Sequence, residues 1–377
     1  MGLMNFRFSI LLDFGALAQL NGQLRKIGIA RPLVCTDPGL ARIGLLGRLV
    51  DSLDGLPHAV FDRTPENPTE AAVLEAAAIY RAEGCDGIVA LGGGSSMDLA
   101  KAVAVMATHD GELISFTATR GGTKKIRNPA TVIAVPTTAG TGSEVSSGSV
   151  IVMESGEKLI LAAGSLVPRL AICDPELTIG LPPLLTAATG MDCVTHCIEA
   201  ILVPVDNPMA DAFGYDGLSR AIRDGALERA VADGQDREAR KQMMIAASQG
   251  ALAFNKGLGA VHSMSHAAGR IKALNLHHGT LNAVLLPTVL RFNKGHADDK
   301  YARIARAMGL APDTDLAAAV EALNGRLGLP PNLKAMGVGA DMVPGMVEHA
   351  LADICTHTNP RKIGAAEYQA LYAEQLA

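Results

Sequence analysis

The pattern of apolar and polar residues changes character about halfway along the chain. Before residue 178, short β-branched apolar runs alternate with amphipathic helical stretches. From "IGLPP" at 179–183 onward, only helical periodicity with short polar breaks remains. Alternating strands and helices are typical of an α/β domain with a mostly parallel sheet. We therefore predict an α/β domain over residues 1–180 and an all-helical domain over residues 181–377.

Two stretches of the helical part carry pairs of polar side chains four residues apart. Asp192 and His196 lie in "GMDCVTHCIEA", and His262 and His266 lie in "GLGAVHSMSHAAG". This spacing is a little over one helical turn, so each pair projects from one face of its helix. Two adjacent histidines, 277–278, precede a third apolar run. Hydrogen bonding in the core would explain any one buried histidine, but together these residues predict a transition-metal site.

Residues that suit a dinucleotide follow three predicted strands. Asp37 ends the first, where its carboxylate can bind the adenosine ribose and favour NAD over NADP, or can equally cap a helix. The second strand enters a glycine-rich turn whose backbone N–H groups can bind a pyrophosphate, unless it is a plain tight turn. This turn contains Gly92, Gly93, Gly94, Ser95, Ser96 and Asp98. The third strand enters the hydroxyl-rich loop 136–143, which suits ribose or diphosphate.

Composition narrows the class of protein. With 49% apolar and 19% charged residues, the chain is globular, and no apolar run is long enough to cross a membrane. A net charge of −5 without a Lys/Arg cluster argues against nucleic acid. Six cysteines without a CxxC motif suit a reducing cytoplasm, and we interpret Cys193 and Cys197 as core residues. Arg7 and Asp13 interrupt the apolar start of the chain, so a secretory signal is not expected.

Seven motifs occur here in combination: "ENPT", "GGGSSMDLAK", "PTTAGTGSEV", "DPELT", "TAATGMDCVTHCIEA", "LGAVHSMSHAAG" and "HGTLNAVLLP". With them the sequence resembles the iron-dependent alcohol dehydrogenases, whose fold is shared with glycerol dehydrogenase and dehydroquinate synthase. The resemblance covers nearly the whole chain. It implies an NAD(H)-linked, metal-dependent enzyme that acts on a small alcohol or aldehyde. It also implies Fe²⁺, with Zn²⁺ as a replacement. We further expect a homo-oligomer, such as a dimer, in the cytoplasm.

The resemblance also implies roles for individual residues. The metal ligands would be Asp192, His196, His262 and His278. His266 would stay unliganded near the reacting carbon, where it could relay the alcohol proton or contact the nicotinamide. The segment before the "HG" step is longer than in propanediol-type members, which leaves the choice between residues 277–278 open. The cofactor contacts would be Asp37, Asn67, the 92–98 loop, Thr137, Thr138, Thr141 and Lys158.

A substrate class follows from the few cations near the predicted metal site. A metal there would favour loss of the alcohol proton, and hydride would pass to the nicotinamide. Lys256, Arg270 and Lys272 either extend to solvent or hold a carboxylate, which would imply an ω-hydroxy acid such as 4-hydroxybutyrate. The alternatives are a glycerol dehydrogenase or dehydroquinate synthase type of enzyme, and a non-catalytic protein that binds nucleotide and metal.

Overall fold

The computed structural model describes residues 8–377 and divides into two compact units. The first unit runs from the N-terminal part to Thr138 and continues with Ser143–Thr178. The second unit consists of Ala139–Gly142 and Ile179–Ala377. Among the described residues, no helix is long and apolar enough to cross a membrane.

The expectation about a secretory signal rests partly on Arg7, which lies outside the described residues. Asp13, the other residue behind that expectation, directly follows the first strand of the first unit.

The first unit is an α/β structure built on a parallel sheet, as predicted. Its strands are β1 (Ser9–Leu12), β2 (Pro32–Cys35), β3 (Ala59–Phe61), β4 (Gly87–Gly92), β5 (Val132–Pro136), β6 (Gly148–Val152), β7 (Lys158–Ala162) and β8 (Leu170–Cys173). Six strands form a sheet in the order β1-β8-β5-β4-β2-β3, and every neighbouring pair in it is parallel. β6 and β7 form a separate antiparallel pair. All residues of β2, β4, β5 and β8 are buried, which is typical of the central strands of such sheets.

Helices accompany the sheet and make up the second unit. The first unit contains α1 (Leu20–Ile27), α2 (Pro38–Arg42), α3 (Leu45–Ser52), α4 (Glu70–Ala82) and α5 (Gly94–Met106). The second contains α6 (Pro183–Leu202), α7 (Pro208–Leu218), α8 (Ala226–Ala232), α9 (Arg237–Ala253), α10 (Ala260–Ala268), α11 (His278–Asn293), α12 (Asp298–Ala307), α13 (Leu316–Arg326), α14 (Val343–Ala352) and α15 (Ala365–Glu374). Within described residues 179–377 no strand occurs, so the all-helical prediction is confirmed.

The second unit packs around α6, a helix of 20 residues. Pro183 occupies its first turn, where a missing backbone N–H costs nothing, and small and apolar residues follow. Every residue from Thr186 to Leu202 is buried, so this helix presents all of its faces to neighbouring helices. Cys193 and Cys197 are fully buried in the surrounding apolar cluster, which confirms their interpretation as core residues.

Candidate metal centre

A carboxylate and an imidazole lie side by side on α6. Asp192 and His196 project from one face of the helix, and His196 Nε2 lies 3.6 Å from Asp192 Oδ1. Only 2% of the Asp192 side chain and 5% of the His196 side chain are accessible. Because the whole helix is buried, these two polar groups need partners from the protein or from a bound ion.

α10 brings a second imidazole to the same carboxylate oxygen. His262 Nε2 lies 3.9 Å from Asp192 Oδ1, and its ring stacks on that of His196 with centroids 4.8 Å apart. One potential ligand atom from each of these three residues lies within 4.8 Å of the others. Such separations suit a single central ion, since ligand bonds of about 2 Å place ligand atoms roughly 3–4 Å apart.

α11 adds a fourth group at its first residue. His278 Nε2 lies 3.6 Å from Asp192 Oδ1, and His278 Nδ1 lies 2.9 Å from Ser265 Oγ. His277 instead caps α11, because its Nδ1 accepts the backbone N–H of Thr280 at 3.4 Å. The structure therefore brings His278 to the cluster and leaves His277 at the helix end.

Asn282 lies at the centre of these groups. Its Nδ2 is 2.7 Å from Asp192 Oδ1, 3.2 Å from His262 Nε2 and 3.1 Å from His278 Nε2. Its Oδ1 is buried and has no hydrogen-bond partner among residues 8–377. An amide nitrogen has two hydrogens for these three surrounding acceptors. The three acceptor atoms therefore outnumber the hydrogens available to them. A cation placed among them would satisfy all three, so the residues present fit a metal ion.

Burial keeps the imidazoles of this cluster neutral. Desolvation lowers the pKa of His196 against the effect of Asp192, and desolvation with neighbouring imidazoles lowers the pKa of His262 well below its usual value. The pKa of His278 is lowered in the same way. Burial raises the pKa of Asp192, but His196, His278 and the Asn282 amide together outweigh it and lower the pKa. The cluster thus offers one carboxylate and three imidazole lone pairs, a donor set for a first-row transition metal.

His266 lies beside the cluster but has a different partner. Its Nδ1 lies 2.8 Å from Asp353 Oδ2, and its ring stacks on that of His278 with centroids 5.3 Å apart. Asp353 also accepts the N–H of Cys355 at 2.9 Å. Burial raises the pKa of Asp353, but the His266 and Cys355 contacts outweigh it and hold this pKa at about 2. Because Nδ1 of His266 faces an ionised carboxylate, Nε2 is the nitrogen with a free lone pair.

The accessible side of the cluster is the side of His266 and His278. Their side chains are 38% and 39% accessible, whereas those of Asp192, His196 and His262 are between 2% and 5% accessible. A small molecule therefore reaches the cluster past the two stacked rings.

Three residues that hold the histidines in place were missed by sequence reasoning: Glu199, Asn282 and Asp353. Glu199 lies three residues after His196 on α6, so helical spacing could have placed it on the same face. Asn282 lies four residues after His278, the first residue of α11, so helical spacing could have placed these two on one face as well. Asp353 carried no local signal, because 87 residues separate it from its partner histidine.

The structure corrects the suggestion that Lys256 holds a substrate carboxylate. Its side chain is 1% accessible and forms an ion pair with Asp211. Its Nζ also donates to the carbonyls of Val203 and Val205 at 3.5 and 3.2 Å. These carbonyls follow the C-terminal end of α6, where a cation is favourable. Lys256 is therefore a structural residue.

Arg270 is a different kind of cation. It lies four residues after His266, in the turn that follows α10, and is partly buried. Within the described residues its side chain forms no hydrogen bond or ion pair. Lys272, two residues further on, is exposed.

The α/β unit places a glycine-rich turn at the start of a long helix. β4 ends at Gly92, and Gly93 is the N-cap of α5, a helix of 13 residues. Gly92 has a φ of +149°, and a Cβ at this position would lie 2.4 Å from Ser96 Oγ, so only glycine fits. The unpaired N–H groups in the first turn of α5 favour an anion such as a pyrophosphate.

Asp37, Asn67 and Lys158 lie in the same unit. Asp37 caps α2, where its Oδ1 accepts the N–H groups of Gly39 and Leu40 at 2.8 and 3.0 Å. Helix capping is thus present, and the cofactor role of Asp37 stays a prediction. Lys158 Nζ donates to Asn67 Oδ1 at 2.8 Å, so these two predicted contacts are neighbours.

The remaining predicted cofactor residues fall into different settings. Thr137 donates its N–H to the Gly92 carbonyl at 3.0 Å, and Thr138 packs against Gly93. Thr141 belongs to the second unit.

Asp98, another predicted cofactor residue, has two partners within the protein. Its Oδ1 accepts Ser143 Oγ–H at 2.9 Å and its Oδ2 accepts the N–H of Val150 at 3.0 Å. Both carboxylate oxygens are therefore engaged by the protein. This side chain connects α5 to β6, and its cofactor role stays a prediction.

Comparison with known families accounts for nearly the whole chain. A family model described as iron-containing alcohol dehydrogenase matches residues 9–175. A second model, for the C-terminal part of the Fe-containing alcohol dehydrogenase family, matches residues 186–376.

Individual relatives match over their full length. The 4-hydroxybutyrate dehydrogenase of Cupriavidus necator is 52% identical over 97% of both chains. The crystal structure of a 1,3-propanediol oxidoreductase matches with a TM-score of 0.93 and 33% identity, over 99% of this chain and 100% of that chain. Sulfoacetaldehyde reductase from Bifidobacterium kashiwanohense, in complex with NAD⁺, matches with a TM-score of 0.90 and 28% identity over 100% of both chains.

Proposed function

The chain belongs to the iron-containing alcohol dehydrogenase family, and we propose that it interconverts an ω-hydroxy acid and its semialdehyde with NAD(H). The observation that carries this proposal is the convergence of one carboxylate and three neutral imidazoles beside an accessible fifth residue, His266. The 52% identity to a 4-hydroxybutyrate dehydrogenase supports 4-hydroxybutyrate and succinic semialdehyde as the pair. The reaction balances as alcohol plus NAD⁺ giving aldehyde, NADH and one proton.

The proposed metal ligands are Asp192, His196, His262 and His278. A divalent ion held there would polarise the substrate oxygen and make its proton easier to remove. We propose Fe²⁺ as the resident ion, with Zn²⁺ as a competitor, because imidazole and carboxylate ligands accept both.

His266 is proposed to accept the proton that the alcohol loses and to pass it to water. Asp353 holds Nδ1–H, so Nε2 can accept that proton. The ionised Asp353 carboxylate stabilises the imidazolium that results. Because 38% of the His266 side chain is accessible, the ring can release the proton to water.

Arg270 is proposed to hold the substrate carboxylate. It lies in the turn that follows α10, four residues after His266, which is on the accessible side of the cluster. A partly buried guanidinium without a partner is unfavourable, and a carboxylate can pair with it through two hydrogen bonds. With Lys256 paired to Asp211, Arg270 is the better anchor.

The α/β unit is proposed to bind NAD(H). The turn at residues 92–96 would receive the pyrophosphate at the start of α5. Asp37 would bind the ribose hydroxyls through the oxygen that does not cap α2, which favours NAD over NADP. Further contacts are proposed from Asn67, Asp98, Thr137, Thr138, Thr141 and Lys158.

We also propose a homodimer in the cytoplasm. All six cysteines lie within the described residues, where they are buried and form no disulfide, which suits a reducing compartment. Light scattering of the purified protein measures the oligomeric state directly.

A comparison of an acidic and an uncharged aldehyde substrate tests the proposed function. We compare kcat/KM for succinic semialdehyde and butanal with NADH in wild type, Arg270→Met and Lys272→Met. A charge-assisted contact is worth about 1.5–3 kcal/mol, so Arg270→Met should lower kcat/KM for the acid about 10- to 100-fold and leave butanal unchanged. Lys272→Met is the matched control, because it removes an exposed cation two residues away and should change neither value.

Two outcomes would contradict parts of this proposal. If butanal is the better substrate in wild type, the ω-hydroxy acid class is wrong. If the acid is better but Arg270→Met leaves the ratio unchanged, Arg270 is not the anchor.

A further inference from the structure

Glu199 contacts His262 from the side opposite the metal cluster. Its Oε2 lies 2.6 Å from His262 Nδ1, while Nε2 of the same ring lies 3.9 Å from Asp192 Oδ1. Glu199 is 4% exposed on α6. A carboxyl group at this depth requires polar partners, and a metal-site histidine is one of them.

The first turn of α10 supplies the other partners. Glu199 Oε1 accepts the N–H of Val261 at 2.8 Å, and Oε2 accepts the N–H of His262 at 3.3 Å. Both carboxylate oxygens therefore act as acceptors at a helix N-terminus, where the backbone donors are otherwise unpaired. Hydrogen bonds from two backbone N–H groups favour the ionised carboxylate over the carboxylic acid.

We propose that Glu199 is a positioning residue that fixes the tautomer of His262. A carboxylate only accepts hydrogen bonds, so the proton of the neutral ring lies on Nδ1 and Nε2 keeps its lone pair. That lone pair points to the side of Asp192, where the other ligands converge. An imidazole binds a metal ion in this form, and carboxylates commonly hold such rings in place.

Among the described residues, the other two imidazoles have no carboxylate on the nitrogen that corresponds to Nδ1 of His262. His278 Nδ1 lies 2.9 Å from Ser265 Oγ, and a hydroxyl can donate or accept, so either tautomer is allowed. Within the described part of the chain, His196 has a backbone contact with Gly140 and no carboxylate on its Nδ1. Within the described residues, His262 is therefore the one histidine of the three whose tautomer is fixed by a carboxylate, that of Glu199.

Glu199→Gln tests the proposal because it keeps the shape of the side chain and converts one acceptor into a donor. The N–H of Val261 makes the shorter backbone bond, at 2.8 Å against 3.3 Å for that of His262, so the amide oxygen takes the Oε1 position. The amide NH₂ then faces His262 Nδ1. The ring must then carry its proton on Nε2, which removes the lone pair from the cluster. At pH 8, with Zn²⁺ as the probe and a chromophoric chelator as competitor, we expect about 10- to 100-fold weaker binding.

Ser265→Ala is the matched control. It removes the partner of His278 without imposing a tautomer, so its loss of Zn²⁺ affinity should be smaller than that of Glu199→Gln. The melting temperatures of both metal-free variants should stay close to that of wild type. An unchanged affinity in folded Glu199→Gln, or equal losses in the two variants, would overturn the proposal.

A measurement on wild type covers the case in which Glu199→Gln does not fold. In metal-free protein labelled with ¹⁵N at histidine, nitrogen chemical shifts distinguish protonated from unprotonated ring nitrogens. The signals of His262 are assigned by their loss in His262→Gln. We expect the Nδ1–H tautomer at pH 8, and the Nε2–H tautomer would overturn the proposal. The Zn²⁺ titration rests on the proposed metal ligands, whereas the tautomer measurement needs neither metal nor substrate. Failure of either leaves the proposed reaction to be decided by the substrate comparison above.

Discussion

Gly279 allows α11 and α6 to approach closely at the metal site. It directly follows His278, and a Cβ at this position would lie 2.3 Å from the Ala188 carbonyl oxygen and 3.3 Å from Asp192 Cβ. The first of these contacts is with backbone, which cannot turn away as a side chain can. Gly279→Ala must therefore push the start of α11 away from α6 by about 1 Å to restore normal contact distances.

The effect on metal binding should exceed the effect on folding. Overpacking of this kind costs about 1–3 kcal/mol, which lowers the melting temperature by a few degrees without unfolding the unit. Metal ligands, however, must lie within about 0.2 Å of their ideal distances. A displacement of about 1 Å between His278 and Asp192 is several times that tolerance, so we expect at least about a tenfold loss of metal affinity.

The assay measures metal content after dialysis against a chelator, together with the melting temperature of the metal-free protein. Gly325→Ala is the control, because Gly325 lies in α13 with no atom within 4 Å of an added Cβ. Alanine there should retain the metal and leave stability unchanged or raise it by up to about 1 kcal/mol. A Gly279→Ala protein with wild-type metal content would refute the reasoning.

Three further predictions concern individual side chains. His278→Ala should lose the metal, whereas His277→Ala and His266→Ala should keep it. Of the two variants that keep the metal, only His266→Ala should lose activity, by about 10²- to 10⁴-fold in kcat. Elemental analysis and steady-state kinetics distinguish these cases. Asp37→Ser keeps a helix cap but removes the charge, so the NADPH to NADH ratio of kcat/KM should rise about tenfold, and a wild type that already prefers NADPH would contradict this. The pKa of Asp353 is about 2 in the folded protein and about 3.9 in the unfolded chain. The ionised side chain therefore contributes fully to the free energy of unfolding above about pH 4, and this contribution is lost as the pH falls through 2. The stability advantage of wild type over Asp353→Asn should therefore shrink by up to about 2 kcal/mol as urea unfolding moves from pH 6 to acidic pH, and a constant difference would count against it.

Local periodicity determined much of this protein. The change from alternating strands and helices to helices alone follows from where β-branched runs end, because each segment's own pattern decides whether it can form a strand. The spacing of Asp192 from His196 and of His262 from His266 placed each pair on one helical face. A strand followed by glycines and a helix likewise predicted the turn at residues 92–96, since those features are adjacent in sequence.

Only the tertiary structure decided which partner each polar side chain has. Lys256 was a candidate substrate anchor until packing placed it against Asp211, and His266 turned out to be held by Asp353. Helical spacing specifies the direction in which a side chain points along its own helix. It carries no information about which distant segment packs there, because that depends on how all the helices fill the interior together. The contact between Glu199 and His262, 63 residues apart, is of this second kind.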